Sequence, residues 1–154
     1  MAPSSAGPIA QECVEAYLFT AHPRRILVLL RPPHRGSIWV PVSGKVEPTD
    51  VDLVSALRRE LAEETGWTDP VRVFPLDWEV RFDGPDGRRW RLHAYGVELD
   101  GPRSPRLSEE HERFDWLPPA EARERLHYED NRSAVDRLLS ILEGSEPSAP
   151  PPKA

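Results

Sequence analysis

Three glutamates, Glu60, Glu63 and Glu64, fall at i, i+3 and i+4 of a segment reading RRELAEETG. On a helix, at about 100° per residue, they lie within roughly a 100° arc. Like charges at that spacing repel and weaken the helix. Glutamate is a strong helix former, so a solvated acidic face is the plain explanation. The chemical alternative is a hard divalent cation. Mg²⁺ takes oxygen ligands in an octahedron and shares them with substrate phosphates, and a metal so placed can neutralise phosphate charge and activate water. Arg59, four residues before Glu63, can pair with that carboxylate and orient it.

The elements needed to present this turn can be read along the chain. Glu12–Thr20 and Arg25–Leu30 have the composition of two strands joined by a short connector, and Ile38–Val42 that of a further short strand carrying Pro41. A helix is predicted over Asp52–Thr65, with Val54, Leu57 and Leu61 as its apolar stripe and Gly66 as its stop. Val71–Phe82 and Arg88–Glu98 read as strands around DGPDG, Arg113–Leu117 as one more strand, and Ala120–Leu126 and Ser133–Leu142 as helices. Strands mixed with two or three helices predict an α/β sheet with helices packed on its faces. A single domain over 11–143 is expected, with loose ends at 1–10 and 144–154.

With 38% hydrophobic and 30% charged residues, the 154-residue chain has globular composition. A net charge of −6 argues against a broad nucleic-acid-binding face, yet it permits one small polyphosphate whose charge a metal offsets. Among the cations only Lys45 and Lys153 are lysines, and arginine's fixed fork of donors suits phosphate oxygens. Cys13 is a lone cysteine, expected as a small apolar residue of the first strand. His22, His34 and His127 show no zinc-ligand spacing. No apolar run reaches the ~18 residues of a membrane span, and Met1–Pro8 lacks the pattern of a secretory signal. A cytoplasmic protein without membrane partners is expected.

The stretch Gly44–Trp67, GKVEPTDVDLVSALRRELAEETGW, resembles the Nudix box: glycine, five residues, glutamate, seven residues, then R-E-apolar-x-E-E-x-G-apolar. Gly44 matches the first glycine, and Arg59, Glu60, Leu61, Glu63, Glu64, Gly66 and Trp67 match the second half in spacing. The first half departs from the pattern. Asp50 stands where glutamate is expected and one residue is inserted before Arg59, so either Asp50 or Asp52 takes the first acidic place.

The resemblance implies an α/β/α sandwich around a central mixed sheet and a Mg²⁺-dependent hydrolase, with Mn²⁺ as a substitute metal. It implies that Glu60, Glu63, Glu64 and the Gly44 carbonyl hold metal, and that Arg59 orients them. Outside the box, SIWVPVSGKVE, LSEEHERFDWL and EDNRSAVDRL are similar to segments of the dihydroneopterin triphosphate pyrophosphatase branch. The second is also similar to diadenosine polyphosphate hydrolases. By that likeness Glu110 is a metal ligand and candidate general base, or else the cap of a short turn. His111 is an orienting or core residue. Trp39 stacks on a heterocycle or fills the sheet, Arg31, Arg35 and Lys45 are candidates to grip phosphates, and Asn131 and Arg132 border a ring pocket or cap the last helix.

The implied substrate is a nucleoside or pterin triphosphate cleaved to a monophosphate and pyrophosphate. A diadenosine polyphosphate hydrolase and a non-cleaving nucleotide sensor are the alternatives, and homodimerisation is left open.

Overall fold

The computed structural model describes residues 7–144; the expectations for 1–6 and 145–154 lie outside them. The chain forms β1 (Gln11–Ala21), β2 (Arg24–Leu30), β3 (Trp39–Val40), β4 (Val42–Lys45), α1 (Leu53–Thr65), β5 (Arg72–Asp83), β6 (Arg89–Leu99), β7 (Arg113–Leu117), α2 (Pro119–Arg125) and α3 (Glu129–Gly144).

Seven strands make one sheet with the path β3-β2-β1-β6-β5, β4 pairing with β1 and β7 with β2. β1 and β6 run parallel, with Cys13 opposite Leu92 and Glu15 opposite Ala94, while the other pairings are antiparallel. The sheet is therefore mixed. Its core forms two layers, because alternate residues of a strand point to opposite faces. Val14, Ala16 and Leu18 of β1 pack with Ala56, Leu57 and Leu61 of α1. Tyr17 and Phe19 pack on the other side with Ala122 of α2 and Val135 and Leu138 of α3. This is the expected α/β/α sandwich, and among the described residues no helix is long and apolar enough to cross a membrane.

Three local expectations are corrected. The strand predicted over Ile38–Val42 is two strands split at Pro41: β3 pairs with β2, and β4 crosses to pair with β1. Proline lacks the N–H that continuous pairing needs. In α1, Val54 is 37% exposed, because the buried stripe runs through Leu53, Ala56, Leu57, Glu60, Leu61 and Glu64 and Val54 lies about 100° round from Leu53. Finally, α3 begins at Glu129 rather than Ser133. Asn131 accepts from the Tyr128 amide across its first turn and satisfies a donor there. At the other end of α1, Gly66 takes the left-handed conformation at φ 83°, as expected of a stop residue. Cys13 is buried, and burial pushes its thiol up to about 11, so it behaves as a packing residue.

A carboxyl group also lies inside the sandwich. Glu15 is 8% exposed. Tyr17 Oη donates to its Oε1 at 2.5 Å, and Asn131 Nδ2 donates to its Oε2 at 3.4 Å and to Tyr17 Oη at 3.1 Å. Burial raises its pKa to about 7 against an ordinary 4.5, an effect only partly offset by the Tyr17 hydrogen bond. A carboxyl whose folded pKa is raised stabilises the fold below its unfolded pKa, and that contribution is lost as pH climbs through the folded value. Glu15→Gln, which titrates nowhere, is therefore expected to match the wild type at pH 5 to within about 1 kcal/mol and to exceed its stability at pH 8 by about 2–3 kcal/mol. Urea unfolding at the two pH values measures this, and a difference independent of pH contradicts it.

Candidate active site

The loop between β4 and α1 and the first turns of the helix are tied together before any ligand is considered. Asp52 caps α1, its carboxylate accepting from the Ser55 amide at 2.8 Å. Asp50 accepts from Arg59 through Nε at 3.0 Å and Nη2 at 2.9 Å, and from the Glu47 amide at 2.7 Å. The same guanidinium donates to the Lys45 carbonyl at 2.9 Å, to Glu60 at 3.0 Å and to Glu63 at 3.3 Å. The two acidic candidates thus divide the work, Asp52 starting the helix and Asp50 holding Arg59. The inserted residue is absorbed in the loop that precedes Leu53.

The three helical carboxylates differ in setting. Glu60 and Glu64 are buried at 8% and 2% exposure, whereas 57% of the Glu63 side chain is exposed beside Arg59. Position i+4 follows i onto the sheet-facing stripe and i+3 falls at its margin. Glu60 lies directly over Gly44: a Cβ on that glycine would meet the Glu60 carboxyl carbon at 2.0 Å. Glycine is required here by close approach.

Glu110 and Glu64 share a cleft of about 410 Å³ lined by His34, Arg35, Glu63, Glu64, Ser108, Glu109 and Glu110, close enough for Glu110 to act on the Glu64 carboxyl. Arg35 Nη2 stands 3.9 Å from Glu110. Buried His111 places Nδ1 3.2 Å from Glu64 Oε1, yet neither atom has a hydrogen-bond partner.

Electrostatics mark the same place. Burial, with the neighbouring Glu110 and Glu60, holds the Glu64 carboxyl well above the usual carboxylate range. Burial raises Glu60 too, against the pull of Arg59. Burial drives His111 down to about 4, keeping its ring neutral. Carboxylates crowded without water are costly unless a cation or proton joins them. The orphaned Glu64 oxygen, the glycine cradle under Glu60 and the all-oxygen donors fit a hard divalent ion. Among the described residues no three such side chains already form a cation cage, and Arg59 occupies Glu60 and Glu63 instead.

Of the residues singled out from sequence, Gly44, Arg59, Glu60, Glu63, Glu64, Glu110 and Arg35 come together here. Arg31 lies close enough for its charge to act on His111. The rest are elsewhere. Trp39 packs on the opposite layer, with the Arg113 and Arg125 guanidiniums 5.7 and 5.0 Å from its ring centre, so it fills the sheet. The Lys45 ammonium sits 5.7 Å over the Trp90 ring, on the face away from α1, because Gly44 takes the face toward it. Arg132 donates to the Leu126 carbonyl at 2.7 Å, tying α3 to the preceding turn. His34, Ser108 and Glu109 line the cleft without having been singled out. Only their adjacency to Arg35 and Glu110 hinted at it.

A family model described as the NUDIX domain matches residues 11–138. An octanoyltransferase of Myxococcus xanthus is 31% identical over 119 residues, 75% of this chain and 32% of that protein, so the chain spans about a third of that relative's length. Among solved structures, a Caenorhabditis elegans Ap4A hydrolase superposes with TM-score 0.73 at 21% identity, covering 88% of this chain and 99% of its own. The Escherichia coli dihydroneopterin triphosphate pyrophosphohydrolase superposes with TM-score 0.73 at 19% identity, covering 87% and 99%. At these identities the superpositions establish the fold.

The Gly44 contact yields a clean test. Because the atom a new Cβ would strike is the far end of a flexible side chain, Gly44→Ala is expected to fold and to expel Glu60 from its seat. Calorimetric Mg²⁺ titration should then show affinity lower by about tenfold or more, on the scale of losing one ligand's support, with an unchanged circular dichroism spectrum. Wild-type affinity in the variant contradicts the arrangement.

Proposed function

Because the chain belongs to the NUDIX family, hydrolases of nucleoside diphosphate derivatives that generally use divalent cations, we propose that it is a Mg²⁺-dependent pyrophosphohydrolase of a nucleoside or pterin triphosphate, with a monophosphate and pyrophosphate as products. The observation that carries this reading is the cleft where buried Glu64 meets Glu63 and Glu110 with Arg35 opposite, beside Glu60 cradled over Gly44 and within reach of the Glu110 charge.

A divalent cation held there, Mg²⁺ or Mn²⁺ in its place, would neutralise phosphate charge and lower the pKa of a bound water. Glu60, Glu64 and Glu110 are the residues proposed to hold them, with Glu63 joining from the margin and the Gly44 carbonyl beside Glu60. Arg59 restrains the carboxylates through its bonds to Glu60, Glu63 and Asp50. Arg35, exposed at the rim, meets the phosphate chain with a fixed positive charge. Neutral His111 backs Glu64 and keeps it from turning inward. With burial and the neighbouring Glu110 charge, the Glu64 carboxyl is held well above the usual carboxylate range; once ionised, Glu64 can accept the proton of the attacking water, a role Glu110 is placed to share. Fixed charges and restrained geometry supply most of the acceleration.

All three helical glutamates are present, which favours turnover over mere sensing. Glu64→Gln is expected to lower kcat by about two orders of magnitude or more while KM stays within a few-fold, and EDTA should abolish activity until Mg²⁺ is restored. Steady-state assays on nucleoside triphosphates, dihydroneopterin triphosphate and diadenosine tetraphosphate, with products separated by chromatography, test both. Pyrophosphate release supports the reading. ATP released from diadenosine tetraphosphate alone would move the assignment to a diadenosine polyphosphate hydrolase, and equal, negligible turnover by wild type and variant would favour a sensor.

A further inference from the structure

The Glu15–Tyr17–Asn131 cluster takes no part in the chemistry above, yet it carries a charge that costs the fold stability at neutral pH. A glutamine would accept from Tyr17 without that penalty. Strand register shows where the carboxyl points. Glu15 is opposite Ser43 and Ala94, and Cys13 is opposite Lys45 and Leu92, so these side chains share the face of the sheet away from α1. Beyond the start of α3 that face becomes partly exposed: Ser43, Trp90 and Leu92 are half-buried and Lys45 is exposed. Buried Glu15 and Asn131 therefore stand at the inner end of a strip formed by Cys13, Leu92 and Trp90, its outer part half-buried.

The strip adjoins the carboxylate cleft. Gly44 turns to Glu60 on one face of β4 while its neighbours Ser43 and Lys45 border the strip on the other. Among the described residues β4 pairs only with β1, so its second edge is open between the two. Arg31 joins them from the end of β2, its charge acting on both Glu15 and His111. A molecule with phosphates at the carboxylates and a planar ring on the strip spans this edge.

The chemistry of the inner end selects the ring. A carboxylate offers about four acceptor sites over its two oxygens. Tyr17 fills one on Oε1 and Asn131 one on Oε2, which leaves one on each oxygen, side by side. Two adjacent N–H donors complete that pattern. We propose that Glu15 is a specificity-determining residue that pairs through both oxygens with the ring N–H and amino group of a 2-amino-4-oxopyrimidine edge, shared by guanine and pterins and absent from adenine. Tyr17 and Asn131 act as positioning residues. The proposal rests on the pyrophosphohydrolase reading and narrows its substrate.

The test is kcat/KM for GTP, dihydroneopterin triphosphate and ATP, with Mg²⁺, for the wild type and Glu15→Gln. The wild type is expected to favour the first two over ATP by at least about tenfold, the scale for a site built to pair specific donors. Their ratio tells which ring the strip fits. Glu15→Gln should lose that preference through KM, leaving kcat and the ATP value within about threefold, because its carboxamide offers a donor where the ring also donates. Tyr17→Phe, which keeps the carboxylate but frees it to turn, should lose a smaller part of the preference, again in KM. An unchanged GTP-to-ATP ratio in Glu15→Gln, or an equal fall for all three substrates, overturns the proposal. If the wild type cleaves none of them, the hydrolase reading fails separately. Calorimetric binding of GTP and ATP to wild type and Glu15→Gln then decides the ring preference, and equal affinities sink it.

Discussion

The guanidinium of Arg59 is the point on which the rest of this architecture converges. It binds Asp50 through two nitrogens, reaches Glu60 and Glu63 on its own helix, lies 3.5 Å from Glu47 and donates to the Lys45 carbonyl. Its own proton is held more firmly as a result, chiefly by Asp50. A helix turn bearing three carboxylates would otherwise repel itself and the acidic loop before it. With Arg59 in place, the loop closes onto the helix, Gly44 comes under Glu60, and the strand carrying Gly44 is drawn against the helix it serves. Only one cation is shared among four acids, so the carboxylates remain short of positive charge. That deficit is what a divalent ion and its phosphate ligand would satisfy.

Much of this was legible in the residues because the signals were local. Gly66 stops α1 for a conformational reason, Asp52 begins it with a side-chain cap, and spacing alone places Glu60 and Glu64 on one side. The mixture of strand segments with two or three helices likewise announced a sheet with helices packed on its faces. What escaped was long-range. Pro41 marked an irregularity, but nothing near it says that the chain leaves β2 and joins β1. Trp39 looks like a stacking platform until the arginines of β7 and α2 are seen over its ring. Lys45 sits next to Gly44 in the chain and on the opposite face in space, as strand geometry demands. The Glu15 cluster was invisible in the sequence because its partner Asn131 is 116 positions away.

The two buried acidic groups express one economy in different ways. On the α1 side, burial and the neighbouring carboxylates hold Glu64 well above the usual carboxylate range, a state that a bound cation would relieve. On the other side, burial holds Glu15 near neutrality beside a hydroxyl and an amide. Both are destabilising in isolation, and both stand at the ends of one path around β4. Binding energy recovered at each end would favour a molecule long enough to reach both, so recognition of the ring and placement of the phosphates become parts of a single event. Activity and stability are expected to pull apart at such positions.

The central claim is that Glu60, Glu64 and Glu110 trap a divalent ion against a phosphate chain. A crystal structure with Mn²⁺ and a non-hydrolysable triphosphate, read by anomalous scattering at the manganese edge, tests it most directly. The account predicts metal peaks about 2 Å from oxygens of these carboxylates, with phosphate oxygens completing the shell. Manganese bound elsewhere, or a triphosphate seated in the cleft with these carboxylates bare of metal, would contradict it.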